Sequence, residues 1–585
     1  MVARKQAAID RRIAAVTAVF LIGLMAVAFK LVLIQGIQAS RYQKLAREQR
    51  DESITIPSRR GTIFDREGEV LAINEGVATV YATPYLVKDK SGTARRLAEA
   101  LGADPADIAA KLAQKNGFVY LARKIDKAVA NRVRAMKLTG IGFLDESKRL
   151  YPSGSLAAQD LGIVDIDNKG QAGLELYYQA LLGGKPGEIQ LEKDAAGVPI
   201  PGSEKRRVPA VDGVDIKLTL DKDIQDYLEK SLADGVDAFG AKAGTALVMD
   251  CNNGNILAMA SSPTFDAARR ADIKPDAMRN RAITDVYEPG SALKIVTASA
   301  ALEEGVVEPS TVITVPSQLN LYGAIFKDAE PEPTRQMDFT QIISQSSNVG
   351  TILVGRQLGA QRLSDFLGRF GLGARTGVDF PGEVQGLVPA LAQWSGTSVA
   401  TISIGQGISL TPLQLGCAAA AIANGGRKVS PHFLASRVTG SVIEDMGLGG
   451  VGDVVVSKET CQKMAGIMMQ VLAQGGTGVK AGVRYYSVSG KTGTAEKPAP
   501  GGHGYSGNYM ATFVGFAPSE KPRLVALVVF DEPSPIWGSE TAAPVFSKIM
   551  GFSLQHLKIP PSHGTSAEEE GQPAQAEPAQ QAPRD

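Results

Sequence analysis

A serine followed three residues later by a lysine, as in Ser291-Ala292-Leu293-Lys294, can carry out acyl transfer if both side chains share one helix face. A serine hydroxyl is a weak nucleophile until a base takes its proton. A lysine amine can be that base only when burial or nearby cations lower its pKa from about 10.4. Pro289-Gly290, ahead of an apolar-periodic stretch, predicts a helix start with Ser291 in its first turn, where unpaired N–H groups and the positive dipole end suit an oxyanion. A second group, Ser346-Ser347-Asn348, offers a hydroxyl able to relay protons and an amide able to hold a substrate carbonyl. A third, Lys491-Thr492-Gly493-Thr494, follows the strand-like run 485–489. A lysine and two hydroxyls on a strand edge can bind a carboxylate, and Gly493 leaves room for a substrate backbone. The N–H of Thr494 could complete an oxyanion hole with that of Ser291. Each motif alone recurs by chance; their order and the elements beneath them carry the signal.

Those elements read as an α+β domain. Residues 245–250 and 256–260 are apolar runs of strand length joined by Cys251-Asn252-Asn253-Gly254-Asn255, which predicts a hairpin, and 510–516 and 524–530 predict two more strands. Helical segments lie between, for example 295–304 stopping at Gly305, so the pattern implies an antiparallel sheet flanked by helices. The expected organisation is a cytoplasmic tail at 1–12, a transmembrane anchor at 13–35, an elongated mixed pedestal at 36–213, the catalytic domain at 214–558 and a disordered tail at 559–585. Helical stretches are expected at 94–101 and 106–113, and the last segment is rich in Pro, Gln, Ala and Glu.

Composition narrows the chemistry. At 585 residues the chain exceeds a single ordinary core, and a net charge of +1 with no basic stripe argues against nucleic acid. The four histidines form no HExxH or similar ligand set and leave few candidates for a Ser-His-Asp triad. Three cysteines (Cys251, Cys417, Cys461) match no zinc spacing and read as small buried hydrophobes. Residues 13–29 carry no charge and the apolar run resumes after Lys30, long enough for a membrane helix. Arg4, Lys5, Arg11 and Arg12 precede it, which predicts a cytoplasmic N-terminus and an exported remainder; a cleavable signal peptide ending near Ala26-Val27-Ala28 is the alternative.

The three motifs together resemble the SxxK, SxN, KTG set of serine β-lactamases and penicillin-binding proteins. Beyond them the chain is similar to the class B penicillin-binding proteins, most like the division-specific septal type. Arg60-Gly61-Thr62-Ile63-Phe64-Asp65-Arg66-Glu67-Gly68, Arg149-Leu150-Tyr151-Pro152 and Gly170-Gln171-Ala172-Gly173-Leu174-Glu175 resemble pedestal motifs; Asn280-Arg281-Ala282 and Gly405-Gln406-Gly407 resemble catalytic-domain landmarks. The resemblance implies a peptidoglycan D,D-transpeptidase with Ser291 as nucleophile, Lys294 as base and Ser346 as proton relay. Asn348 would anchor substrate, Lys491, Thr492 and Thr494 would hold its terminal carboxylate, and Gly493 would lie against its backbone. It implies stem peptides ending in D-Ala-D-Ala as substrate, β-lactams as inhibitors, no metal or organic cofactor, and a SEDS-family lipid II polymerase and division proteins as partners at the inner membrane. An elongation-type enzyme, a D,D-carboxypeptidase or β-lactamase, and a β-lactam sensor are the competing readings. Ala292 departs from the Thr that many relatives carry there.

Overall fold

The structure, a computed structural model, describes residues 2–562 apart from 116, 195–199, 201, 270, 271, 331, 441, 448, 500, 502 and 503. The expected disordered tail lies from residue 563 onward outside the described residues, as do His503 and His563. The chain divides into two compact units: Met1–Arg59, Gly76–Ser147 and Gly184–Gly213 form one; Arg60–Glu75, Lys148–Gly183 and Val214–Asp585 form the other.

Among the described residues, one helix is long and apolar enough to cross a membrane, Arg4–Ile37, and its apolar side chains are exposed. In the same unit, helices Lys90–Leu101 and Pro105–Ala113 cover the expected helical stretches. Asp89 and Asp104 cap them by accepting from Gly92 N and Ala106 N. Their inward faces meet Val80 and Leu121 in a small core with Ile108, Leu112 and Val133. A separate antiparallel sheet pairs Asp51–Ile56, Gly187–Glu192 and Arg206–Val208.

The larger unit is built on a five-stranded antiparallel sheet, ordered Ile256–Ser262, Ala243–Asp250, Leu524–Asp531, Tyr505–Ala517, Ser489–Pro498. The expected hairpin and the strands expected at 510–516 and 524–530 are present. Their unbroken apolar runs follow from burial on both faces. Along Leu524–Asp531 the residues alternate: Ala526, Val528 and Phe530 pack on one side with Leu228 and Leu232 of helix Lys222–Ala238 and Phe546 of helix Ala542–His556, while Val525, Leu527 and Val529 face the opposite core. That second core holds the serine-bearing helix and the apolar helix Pro412–Ala423, together with Cys251 and Cys461.

One expectation fails. The run 485–489 is not a strand; pairing begins only at Ser489, opposite Phe516. Tyr485 sits at φ +68°, which breaks an extended chain, and Tyr486 turns away to donate its hydroxyl proton to Ile559 O at 2.8 Å. The apolar residues there belong to a turn packed under the last helix.

The three pedestal-like motifs meet inside the larger unit. Glu175, fully buried, accepts from Arg60 Nε and Arg149 Nε, each at 2.6 Å. Arg60 also donates to Asn168 O and Gln179, and Arg149 to Gly61 O and Asn74. Asp65 accepts from the backbone of Glu67, Glu69 and Lys222, which fastens this segment to the start of helix Lys222–Ala238.

Candidate active site

Ser291 sits on a single 3-10 turn, Gly290–Leu293, that runs into the helix Lys294–Glu303. The tight turn has a local cause. Gly290, at φ +53°, donates its N–H to Gly405 O at 3.0 Å, and a Cβ on Gly405 would lie 2.1 Å from Gly290 O. The Gly405-Gln406-Gly407 segment therefore presses on the serine turn from one side. Glu288 holds the contact by accepting from Gly407 N at 3.0 Å.

From the other side comes the edge strand Ser489–Pro498. A Cβ on Gly493 would lie 3.0 Å from Pro289 O and 3.1 Å from the Ala292 methyl. Gly493 and the small Ala292 thus allow strand and serine turn to approach. A side chain at Gly493 would meet the serine turn itself, and the contact gives Ala292 a packing role.

Lys294 is fully buried, and its Nζ donates to Ser346 O at 2.7 Å and Asn348 Oδ1 at 2.8 Å, with Ser346 Oγ at 3.4 Å. Lys491, equally buried, donates from Nζ to Ser346 Oγ at 2.9 Å. The Ser346 hydroxyl is therefore flanked by both amines. Ser346 itself is at φ +58°, a conformation that costs a non-glycine residue about 1–3 kcal/mol, and it turns its carbonyl as well as its hydroxyl to Lys294. Neither ammonium has an ion-pair partner among the described residues. Burial drives the Lys294 pKa well below the usual lysine value, with repulsion from Lys491 adding to it and Asp328 opposing. Burial also pushes Lys491 down to about 7. Burial thereby weakens the hold of both amines on their protons, and Lys491 can exchange its proton near neutral pH.

The expected sites from all three motifs converge here. The Ser291 hydroxyl makes no hydrogen bond among the described residues, and the Lys294 amine points to the Ser346–Asn348 segment rather than back along its own helix. Asn348 is tied at both ends, its oxygen to Lys294 and its nitrogen to Lys327 O at 3.1 Å, which leaves one amide N–H for a ligand. The hydroxyl of Thr492 meets that of Thr477 at 2.8 Å, and Thr494 Oγ1 accepts from Gly538 N at 3.2 Å.

Two supporting residues carry no sequence signal. Asp328 accepts from Ser347 Oγ at 2.9 Å and from Val349 N at 2.9 Å, fixing the start of helix Asn348–Leu358. Thr477 reaches the site from a glycine-rich turn. Both are polar turn residues that only tertiary structure brings to the motif. Among the described residues no cluster of His, Cys, Asp and Glu could hold a metal ion.

Residues 244–551 match the penicillin-binding protein transpeptidase domain, and residues 55–218 match the penicillin-binding protein dimerisation domain. The chain belongs to the class B penicillin-binding proteins. It is 35% identical to penicillin-binding protein PbpB of Mycolicibacterium smegmatis over 92% of this chain and 89% of that one. It is 33% identical to the peptidoglycan D,D-transpeptidase FtsI of Escherichia coli over 93% of this chain and 92% of that one. Among solved structures, penicillin-binding protein 3 of Mycobacterium tuberculosis complexed with aztreonam superimposes with a TM-score of 0.69 at 31% identity, covering 87% of this chain and 98% of that chain. Family membership accounts for both the mixed α+β architecture and the placement of a transpeptidase domain on the sheet that carries Lys491.

Proposed function

We propose that this chain is a serine D,D-transpeptidase that cross-links peptidoglycan stem peptides at the division septum. The observation that carries the chemistry is the Ser346 hydroxyl held between two buried lysines, neither neutralised by a carboxylate in contact. Ser291 Oγ attacks the penultimate D-Ala carbonyl of a stem peptide and gives its proton to Lys294 Nζ. The proton passes through Ser346 Oγ to the departing D-Ala amine as the peptide C–N bond breaks, leaving an ester on Ser291. Lys491, with the hydroxyls of Thr492 and Thr494, attracts the terminal carboxylate; the N–H groups of Ser291 and Thr494 take the oxyanion. The free N–H of Asn348 holds the substrate amide. An amine of a neighbouring stem then displaces Ser291.

A β-lactam offers a carbonyl and a carboxylate in the same relation, so it acylates Ser291 and blocks the site. The complex of a related penicillin-binding protein 3 with aztreonam supports that reading. Helix Arg4–Ile37 serves as a single-pass anchor with the N-terminus cytoplasmic, which the basic residues ahead of it favour. A SEDS-family polymerase and other division proteins are the partners such an anchor and pedestal would meet. Fluorescent penicillin tests the chemistry: Ser291→Ala loses covalent labelling, and retained labelling contradicts the assignment. A fluorescent fusion tests the septal role, which lateral-wall labelling throughout the cell cycle would overturn while leaving the chemistry intact.

A further inference from the structure

Cross-linking needs a second peptide, and none of the residues placed so far receives it. Attack by an acceptor amine retraces the departure of D-Ala in reverse. The incoming nitrogen must therefore arrive from the side on which the leaving group and its carboxylate sat. Thr492 marks that side. Its hydroxyl meets Thr477 Oγ1 at 2.8 Å, and Thr477 N donates to Ser344 O at 3.2 Å.

Behind this link lies an open cleft of about 710 Å3, with Ser344 and Gly476 in its wall. Its size falls in the range of roughly 300–1,000 Å3 typical of ligand sites. Gln345, the residue before Ser346, lines it on one side. Across from it, helix Lys458–Gln470 supplies Gln462, Gly466 and Gln470, spaced four apart and so on one face, with Gln474 following. The side-chain amides of Gln345, Gln462, Gln470 and Gln474 are exposed and make no hydrogen bond among the described residues. The charges nearby are committed elsewhere: Asp338 caps a helix, and Lys463 pairs with Glu308 and Glu459. The cleft therefore presents neutral donors and acceptors, which suit a peptide backbone rather than an ion.

We infer that this glutamine-lined cleft seats the acceptor stem peptide. The inference rests on the acyl-enzyme reading above and specifies where its second substrate binds. From there the acceptor amine nitrogen bonds to the acyl carbon, the Ser291 ester C–O bond breaks, and the amine proton returns through Ser346 to Ser291 Oγ.

The test separates acceptor use from acylation. The full-length protein in detergent is given a D-Ala thioester donor and a synthetic stem peptide with a free side-chain amine, and the ratio of aminolysis to hydrolysis is measured. Gly466→Trp plugs the cleft from an exposed helical position with no atom within 4 Å of the added Cβ. A paired Gln462→Leu, Gln470→Leu variant removes two amides without filling it. Both are expected to lower the ratio, the paired variant about tenfold or more for the loss of two hydrogen bonds and Gly466→Trp at least as much by filling the cleft, while benzylpenicillin acylation stays within about twofold. An unchanged ratio in both variants overturns the inference, and so does parallel loss of acylation in both. Penicillin labelling of Ser291→Ala would instead overturn the acyl-enzyme reading itself.

Discussion

Of the charges buried in the larger unit, those around Glu175 and those around Ser346 are built on opposite principles. Around Glu175, two guanidiniums converge on one carboxylate at 2.6 Å each and spend further donors on Asn168 O, Gln179, Gly61 O and Asn74. Around Ser346, two ammoniums converge on a neutral hydroxyl, with no carboxylate in contact. Desolvation acts on both groups. In the first it is offset in part by opposite charge and hydrogen bonds, although burial still lowers the Arg60 pKa; in the second no carboxylate in contact opposes its effect on the two lysines. A compensated buried charge holds segments together, whereas an uncompensated one is a reactive group that the fold tolerates at a cost in stability.

Removing the central anion should have the largest effect on stability. Glu175→Gln leaves two buried guanidiniums facing a neutral amide and is expected to cost about 3–5 kcal/mol, read as a lower unfolding midpoint. Penicillin acylation by the fraction that remains folded should be unchanged. An unaltered midpoint would break the contrast between the two clusters.

Lys491→Met should act in the reverse sense, with a pH dependence. The Lys491 pKa of about 7 in the folded chain lies below the unfolded value of about 10.4. Between those values the unfolded chain binds more protons, so this lysine's penalty is full below pH 7 and fades as pH rises toward 10. Relative to wild type, the variant's stability should therefore fall by roughly 1 kcal/mol per pH unit across that window. A pH-independent difference would mean that Lys491 is not held at a depressed pKa. Ser347→Ala gives the smallest effect, about 1 kcal/mol, because it removes the cap on Gly350 N and one partner of Asp328.

Much of this is legible in the sequence. Apolar runs buried on both faces gave strands 245–250 and 524–530 their lengths, and Gly305, at φ +63°, ends the serine-bearing helix where expected. The order of Ser291, Ser346 and Lys491 pointed to one site because side-chain chemistry is local to each motif. What sequence could not supply was the long-range part. The approach of Gly405 to Gly290 tightens the serine turn into a 3-10 segment, and Asp328 and Thr477 join the site from turns that look like any other polar turn. Residues 485–489 misled for the opposite reason: apolar side chains can bury a turn as well as a strand, and only Tyr485's backbone separates the two.

The central claim is that Ser291 is activated by an amine whose charge the fold leaves uncompensated. The rate of benzylpenicillin acylation in Lys294→Met, with the folded fraction confirmed by circular dichroism, tests it most directly. The account predicts a fall of at least about a hundredfold with the fold intact, the usual contribution of a positioned base. Acylation within a few fold of wild type would contradict it.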